Sequence, residues 1–140
     1  MCLKVKSSNW YLDSGCSKHM TRDTSKFSHL TPKNHGHVTY GDNNKGKILG
    51  VGKVGKTPST SIDNVLLVDG LKHNLLSISQ LCDKGNRVIF YSRSCIIEDI
   101  NSKQIKLVGH RIENIYMINL DDITSDDAQC LLSKEDDSWL

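Results

Sequence analysis

The sequence predicts an all-β domain with one short helix. Short apolar segments rich in β-branched residues recur along the chain, and Gly, Asn, Asp and Ser separate them. Only one segment places apolar residues at helical spacing. No segment repeats with a period of roughly 20–50 residues, which argues against solenoids and propellers. Together these observations favour the all-β class.

The strands before the helix include a predicted hairpin. In order, the strand segments are NWYLD, HVTYG, GKILGVGKVG and IDNVLLVDG. The turn-forming residues GDNNKG join the second and third segments, which predicts a hairpin with a mobile tip. The fourth segment is a continuous apolar run, typical of a buried strand.

The helix is predicted in the segment HNLLSISQLCDKGN. Leu75, Ile78 and Cys82, together with Leu81, recur at helical spacing, and Gly85 offers a stop. We expect a helix from about residue 77 to residue 84, directly after a buried strand end. The segments RVIFYS, SCIIEDI, KQIKLVG and IYMINL then predict four further strands.

The chain length and its charge pattern predict one domain and a tail. A chain of 140 residues is long enough for one core, and we assign residues 1–120 to the domain. Residues 121–140 hold seven acids and one lysine, which predicts an acidic linker. Residues 1–120 carry 17 bases and 9 acids. Such a basic body can attract nucleic acid non-specifically, although charged residues more often only solvate a surface.

The composition also sets expectations about location. No run of eighteen apolar residues is present, so we expect no membrane span. The first ten residues lack the apolar stretch of a secretory signal, which leads us to expect an intracellular protein. The five cysteines are irregularly spaced, which favours reduced thiols over a disulfide framework.

The segment WYLDSGCSKHM holds the candidate catalytic group, Asp13. Asp13 ends an apolar strand, Ser14 adds a short hydroxyl, and Gly15 permits a tight backbone turn. A single carboxylate is a weak base at neutral pH. Two carboxylates about 3 Å apart share one proton, so one can activate water while the other polarises a carbonyl.

This chemistry requires a second carboxylate. The chain contains only one Asp-Ser/Thr-Gly sequence, and Asp69-Gly70 lacks the hydroxyl residue. If the chemistry operates, a second copy of the chain must supply the other aspartate, and a symmetric homodimer would place both on its two-fold axis.

Three ordered motifs carry a resemblance to a known family. WYLDSGCSKHM resembles the signature W-x-L-D-S-G-x-x-x-H-M of the protease of copia-type LTR retrotransposons. VTYGDNNKGKILGVGKV is similar to the flap segment of that family, and VLLVDGLKHNLLSISQL to its V-L-x-V-x-x-L-x-x-N-L-L-S-x-x-Q-L motif. The similarity covers roughly residues 8–120, and SWL at the end resembles the start of the spacer that precedes an integrase.

The resemblance implies a retropepsin-like closed β-domain that works as a symmetric homodimer, without metal or cofactor. It implies that the substrate is its own Gag-Pol polyprotein, cleaved in the cytoplasm within virus-like particles. It implies that Asp13 is the catalytic carboxylate and that Ser14 and Gly15 support the active loop. The implied flap and substrate-binding residues are Gly41, Asp42, Asn43, Asn44 and Lys45. The implied strand–helix support consists of Asn74, Leu75, Leu76 and Ser77.

The chain departs from related retroviral enzymes in three places. Ser77-Ile78-Ser79 stands where many of them have Gly-Arg-Asp/Asn, which puts in doubt an ion pair near the dimer interface. Cys16 stands where Ala is usual, and residues 87–120 have no clear counterpart.

Other interpretations of the same residues have less support from the sequence. Cys16 and His19, with His35 and His37, lack the paired spacing of a structural zinc site, so we expect a hydrogen-bonded structural role for His19. An acid beside Cys16 disfavours its thiolate, and Ser14 lacks the G-x-S-x-G context of a nucleophile. The alternative function from another class is an inactive or domesticated β-domain that holds nucleic acid inside a particle.

Overall fold

A computed structural model describes residues 9–34, 36–41 and 43–120. The all-β prediction is confirmed, because this part of the chain consists mostly of strands with one short α-helix. The first seven strands are β1 (Asn9–Asp13), β2 (His19–Thr21), β3 (Phe27–Pro32), β4 (His37–Tyr40), β5 (Asn44–Val54), β6 (Ile62–Val68) and β7 (Asn74–Ser77). They are followed by α1 (Ile78–Asp83), β8 (Asn86–Phe90), β9 (Ser94–Asp99), β10 (Ile105–Ile112) and β11 (Ile115–Asn119).

The local sequence explains the helix and the hairpin. Ser77 caps α1, since its side chain accepts a hydrogen bond from the backbone N–H of Gln80, and Gly85 follows the helix with a φ of +91°. The predicted hairpin is present as β4 and β5, which pair in antiparallel fashion. Its connection uses the left-handed conformation at Gly41 and Asn43, with φ values of +56° and +65°.

Two strands and two 3₁₀ turns were not predicted. The turns lie at Thr24–Lys26 and Pro58–Thr60. β2 has only three residues, and β3 is mostly exposed, so neither shows a clear apolar alternation. The glycines of β5 pack closely. A β-carbon on Gly46 would overlap a side-chain carbon of Val68.

The strand order places β1 in the middle of the sheet. The order is β3-β5-β6-β2-β7-β1-β11-β10-β9-β8, and β4 pairs with β5 outside this path. β1 is parallel to β7 and antiparallel to β11, so both neighbours of the strand that carries Asp13 belong to the same chain. Residues 87–120 therefore extend the sheet on the side of β1 that faces away from β7.

Two apolar clusters lie along β1. The larger cluster contains Trp10, Leu76 and Ile118, which are at most 1% exposed. The smaller cluster contains Met20 and Leu75, with Tyr11 packed against it. No helix among the described residues is long and apolar enough to cross a membrane. The proposed division into residues 1–120 and residues 121–140 stays a prediction, since the tail lies outside the described residues.

Candidate active site

Asp13 is the last residue of β1 and is half-buried. Its Oδ1 atom accepts a hydrogen bond of 2.7 Å from the backbone N–H of Gly15. A β-carbon at position 15 would lie 3.2 Å from this same oxygen, which is tighter than an ordinary contact. A glycine two residues after Asp13 therefore suits a turn that folds back onto the carboxylate.

The alternation of β1 directs Asp13 into a pocket. Successive side chains of a strand point to opposite faces. Trp10 and Leu12 pack in the larger core cluster, whereas Tyr11 and Asp13 line an open pocket of about 410 Å³. The buried side of β1 thus anchors the strand, and its other side presents a carboxylate to a cavity.

The β4–β5 hairpin forms one wall of this pocket. Tyr40, Gly41 and Asn44 line it, at and beside the hairpin connection. The hydroxyl of Tyr40 donates a hydrogen bond of 3.4 Å to the carbonyl of Gly70, which lies in the segment between β6 and β7. This contact brings the hairpin over the same cavity as Asp13.

The segment before β7 forms a second wall of the pocket. Gly70, Leu71, Lys72 and His73 line the pocket there. The rings of Tyr11 and His73 stack with their centroids 4.6 Å apart and an interplanar angle of 17°. The pocket therefore combines aromatic, apolar and basic groups around one carboxylate.

Burial sets the charge states of two side chains near Asp13. Burial raises the pKa of the Cys16 thiol to about 11, and the charge of Asp13 adds to this effect. The prediction that Cys16 resists thiolate formation is confirmed, with burial as the larger cause. Burial also lowers the pKa of His19 to about 4, and Lys18 contributes. His19 is therefore neutral at pH 7.

His19 has the structural role that was expected of it. Its side chain is 1% exposed, and its Nδ1 atom accepts a hydrogen bond of 2.9 Å from the backbone N–H of Ser77. Among the described residues, no group of three or more His, Cys, Asp or Glu side chains could hold a metal ion.

The structure brings some of the predicted site residues together. Asp13, Gly41, Asn44 and Leu75 line one pocket. Other predicted residues lie around it without lining it. Ser14 and Gly15 are exposed beside Asp13, and Asn43 and Lys45 are exposed in the hairpin; Asn74, Leu76 and Ser77 belong to β7 behind the loop. Asp42 lies outside the described residues. The functional roles of all these residues stay predictions.

Sequence reasoning missed most of the pocket walls. Tyr11 could have been found, because it lies two residues before Asp13 and so shares its strand face. Tyr40, Lys72 and His73 carry no local signal that places them beside Asp13. Gln80 was also not among the predicted site residues, although it is 6% exposed and its side chain accepts a hydrogen bond from the backbone N–H of His19.

The geometry limits the chemistry of one chain. Among the described residues that line the pocket, Asp13 is the only one with a carboxylate. One carboxylate can accept a proton from water, but the shared-proton arrangement needs a second carboxylate at about 3 Å.

Comparison with known proteins gives the family. Residues 10–86 match the family described as "Pol polyprotein, beta-barrel domain". Over 115 residues the chain is 30% identical to the retrovirus-related Pol polyprotein from transposon RE1 of Arabidopsis thaliana, and 33% identical to that from transposon RE2. Each alignment covers 79% of this chain but only 8% of the relative. No solved structure matches the chain significantly. Since the family match spans more than half of the residues of this chain, the chain belongs to the Pol polyprotein β-barrel domain family, which is of retrotransposon origin.

Proposed function

We propose that this domain is an aspartic endopeptidase that acts as a homodimer, with Asp13 of each copy forming the catalytic pair. The observation that carries the proposal is the position of Asp13 in an open pocket beneath the β4–β5 hairpin. A carboxylate held at a strand end by the backbone of its own loop is positioned before substrate binds.

The mechanism follows from the pairing of two such loops. Ser14 is exposed directly beside Asp13, so a second copy can approach this end of β1 and contact the Ser14 hydroxyl. With the two carboxylates about 3 Å apart, they share one proton. The ionised member removes a proton from water, and the protonated member donates a hydrogen bond to the scissile carbonyl. The β-domain of each copy then closes one half of the site.

The hairpin is proposed to act as a flap over an extended peptide. Tyr40 and Asn44 face the cavity that contains Asp13, so a peptide in the pocket would lie between the hairpin and the carboxylate. Extended peptides add to sheets through main-chain hydrogen bonds, which suits a retropepsin-like arrangement. The proposed substrate is the Gag-Pol polyprotein that contains the domain, cleaved within a virus-like particle in the cytoplasm. No cofactor is part of this mechanism.

The test is cleavage of the flanking polyprotein. Purified protein is incubated with a polyprotein fragment, and the products are identified by mass spectrometry. We expect defined fragments from the wild type and none from Asp13→Asn, which keeps the shape of the side chain but cannot ionise. Cleavage by the variant at the wild-type rate would refute the role of Asp13.

The charge of residues 1–120 favours a second candidate function, a non-catalytic module that holds nucleic acid. These residues carry 17 bases against 9 acids. Binding of RNA that weakens with salt, is unchanged in Asp13→Asn, and is accompanied by no proteolysis would support this alternative.

A further inference from the structure

The loop that follows Asp13 crosses the end of β7. In the sheet, β7 lies between β1 and β2, which are consecutive in the chain. β1 and β7 run parallel, with Asp13 in register with Ser77. The connection 14–18 must therefore pass over the point where β7 ends and α1 begins.

Ser77 contacts this connection through both its side chain and its backbone. The Ser77 hydroxyl donates a hydrogen bond of 2.7 Å to the carbonyl of Cys16. The Ser77 backbone N–H donates to Nδ1 of His19 at 2.9 Å. Both contacts are buried, and Ser77 itself is 0% exposed.

Gln80 adds a third contact from the first turn of α1. Its Oε1 atom accepts a hydrogen bond of 3.0 Å from the backbone N–H of His19. Its Nε2 atom donates to the carbonyl of Asn64 at 3.1 Å, so the amide orientation is fixed from both ends. Together, the contacts of Ser77 and Gln80 with Cys16 and His19 attach the connection 14–18 to the junction of β7 and α1.

We propose that His19 is a positioning residue, whose Nδ1 atom ties the loop of Asp13 to the junction of β7 and α1. This role rests on the proposed function of Asp13. His19 does not line the pocket and is not expected to touch substrate. It acts through the turn at residues 14–18, whose Gly15 N–H in turn hydrogen-bonds the Asp13 carboxylate.

The chemistry of the contact predicts which substitutions are tolerated. Nδ1 accepts a hydrogen bond, so the ring is neutral and carries its proton on Nε2. His19→Asn can place a carbonyl oxygen near the same position and keep an acceptor for Ser77. His19→Ala leaves the buried Ser77 N–H without that acceptor, and an unpaired buried donor is unfavourable.

The first experiment measures the loop directly and does not depend on catalysis. The rate of solvent exchange of the Gly15 amide is measured by NMR in wild type, His19→Ala, His19→Asn and His110→Ala, an exposed histidine on β10 that serves as the matched control. We expect exchange to be about 10-fold faster in His19→Ala and within about threefold of wild type in the other two. Amides of β9 report global unfolding, so the change in their exchange rate measures any global destabilisation separately from opening of the loop.

A measurement on the wild type covers the case in which His19→Ala does not fold. The imidazole ¹⁵N spectrum at pH 7 should show an unprotonated Nδ1. A proton on Nδ1 would overturn the proposal, as would equal Gly15 exchange in folded His19→Ala and wild type.

The second experiment measures peptide cleavage by the same variants. We expect kcat to fall about 10-fold or more in His19→Ala with KM within about threefold, and His19→Asn to restore most of kcat. Equal losses in the two variants would refute positioning by the acceptor atom. If the wild type cleaves no peptide, the proposed function fails, whereas the exchange and ¹⁵N data still decide whether His19 positions the loop.

Discussion

The buried, neutral state of His19 predicts a specific dependence of stability on pH. The ordinary pKa of histidine is 6.5, and burial lowers that of His19 to about 4. The unfolded chain therefore binds a proton below pH 6.5 that the folded chain does not bind until about pH 4. The stabilisation from this group is complete above pH 6.5 and is lost as the pH falls from 6.5 to about 4.

The magnitude follows from the two pKa values. At about 1.4 kcal/mol per pH unit, the difference corresponds to a loss of about 3 kcal/mol in the free energy of unfolding. No large reduction for solvent screening applies, because the side chain is 1% exposed. Other titrating groups contribute equally to wild type and to His19→Asn, so the difference between the two proteins isolates His19.

The assay is urea unfolding followed by tryptophan fluorescence at several pH values between 4 and 7. The chain has two tryptophans, and Trp139→Phe leaves the buried Trp10 as the reporter. The free energy of unfolding of the wild type should fall by about 3 kcal/mol relative to His19→Asn between pH 7 and pH 4. A difference that stays constant within about 0.5 kcal/mol would show that His19 is not buried as a neutral acceptor.

Two further predictions concern the core and the thiols. Leu76 is 0% exposed in the larger cluster, so Leu76→Ala should lower the free energy of unfolding by about 2–5 kcal/mol. Leu49→Ala, at an exposed position, should lower it much less. Comparable losses of the two variants in urea unfolding would contradict the packing of Leu76. The exposed Cys82 should react with iodoacetamide at pH 8 well before the buried Cys16, because burial raises the pKa of Cys16 to about 11. Mass spectrometry that shows the reverse order would contradict the burial of Cys16.

The sequence predicted the strands whose apolar residues form clear runs, because burial of one face imposes that pattern. IDNVLLVDG and the segments after residue 86 are examples, and helical spacing with a stop at Gly85 indicated the helix. β3 was not predicted because most of its residues are exposed, so its sequence shows no regular alternation of apolar and polar residues. Local pattern alone does not contain the order of the strands in the sheet.

The candidate site also has one part that the sequence predicts and another that only the structure reveals. Asp13 and its turn could be predicted as a candidate site from WYLDSGCSKHM, because Asp13, Ser14 and Gly15 are adjacent in the chain. The contact of His19 with Ser77 joins residues 58 positions apart, and the stacking of Tyr11 on His73 joins residues 62 positions apart. Such contacts depend on β7 lying between β1 and β2, which only the folded chain reveals.

The most direct test of the proposed shared active site is a mixing experiment with wild type and Asp13→Asn. Equal amounts are combined at fixed total concentration above the dimer dissociation constant, allowed to exchange subunits, and assayed for peptide cleavage. If each site needs Asp13 from both copies, random pairing leaves about one quarter of the activity of the wild type alone. Retention of about one half would mean that each chain works independently, and it would contradict the paired-carboxylate account.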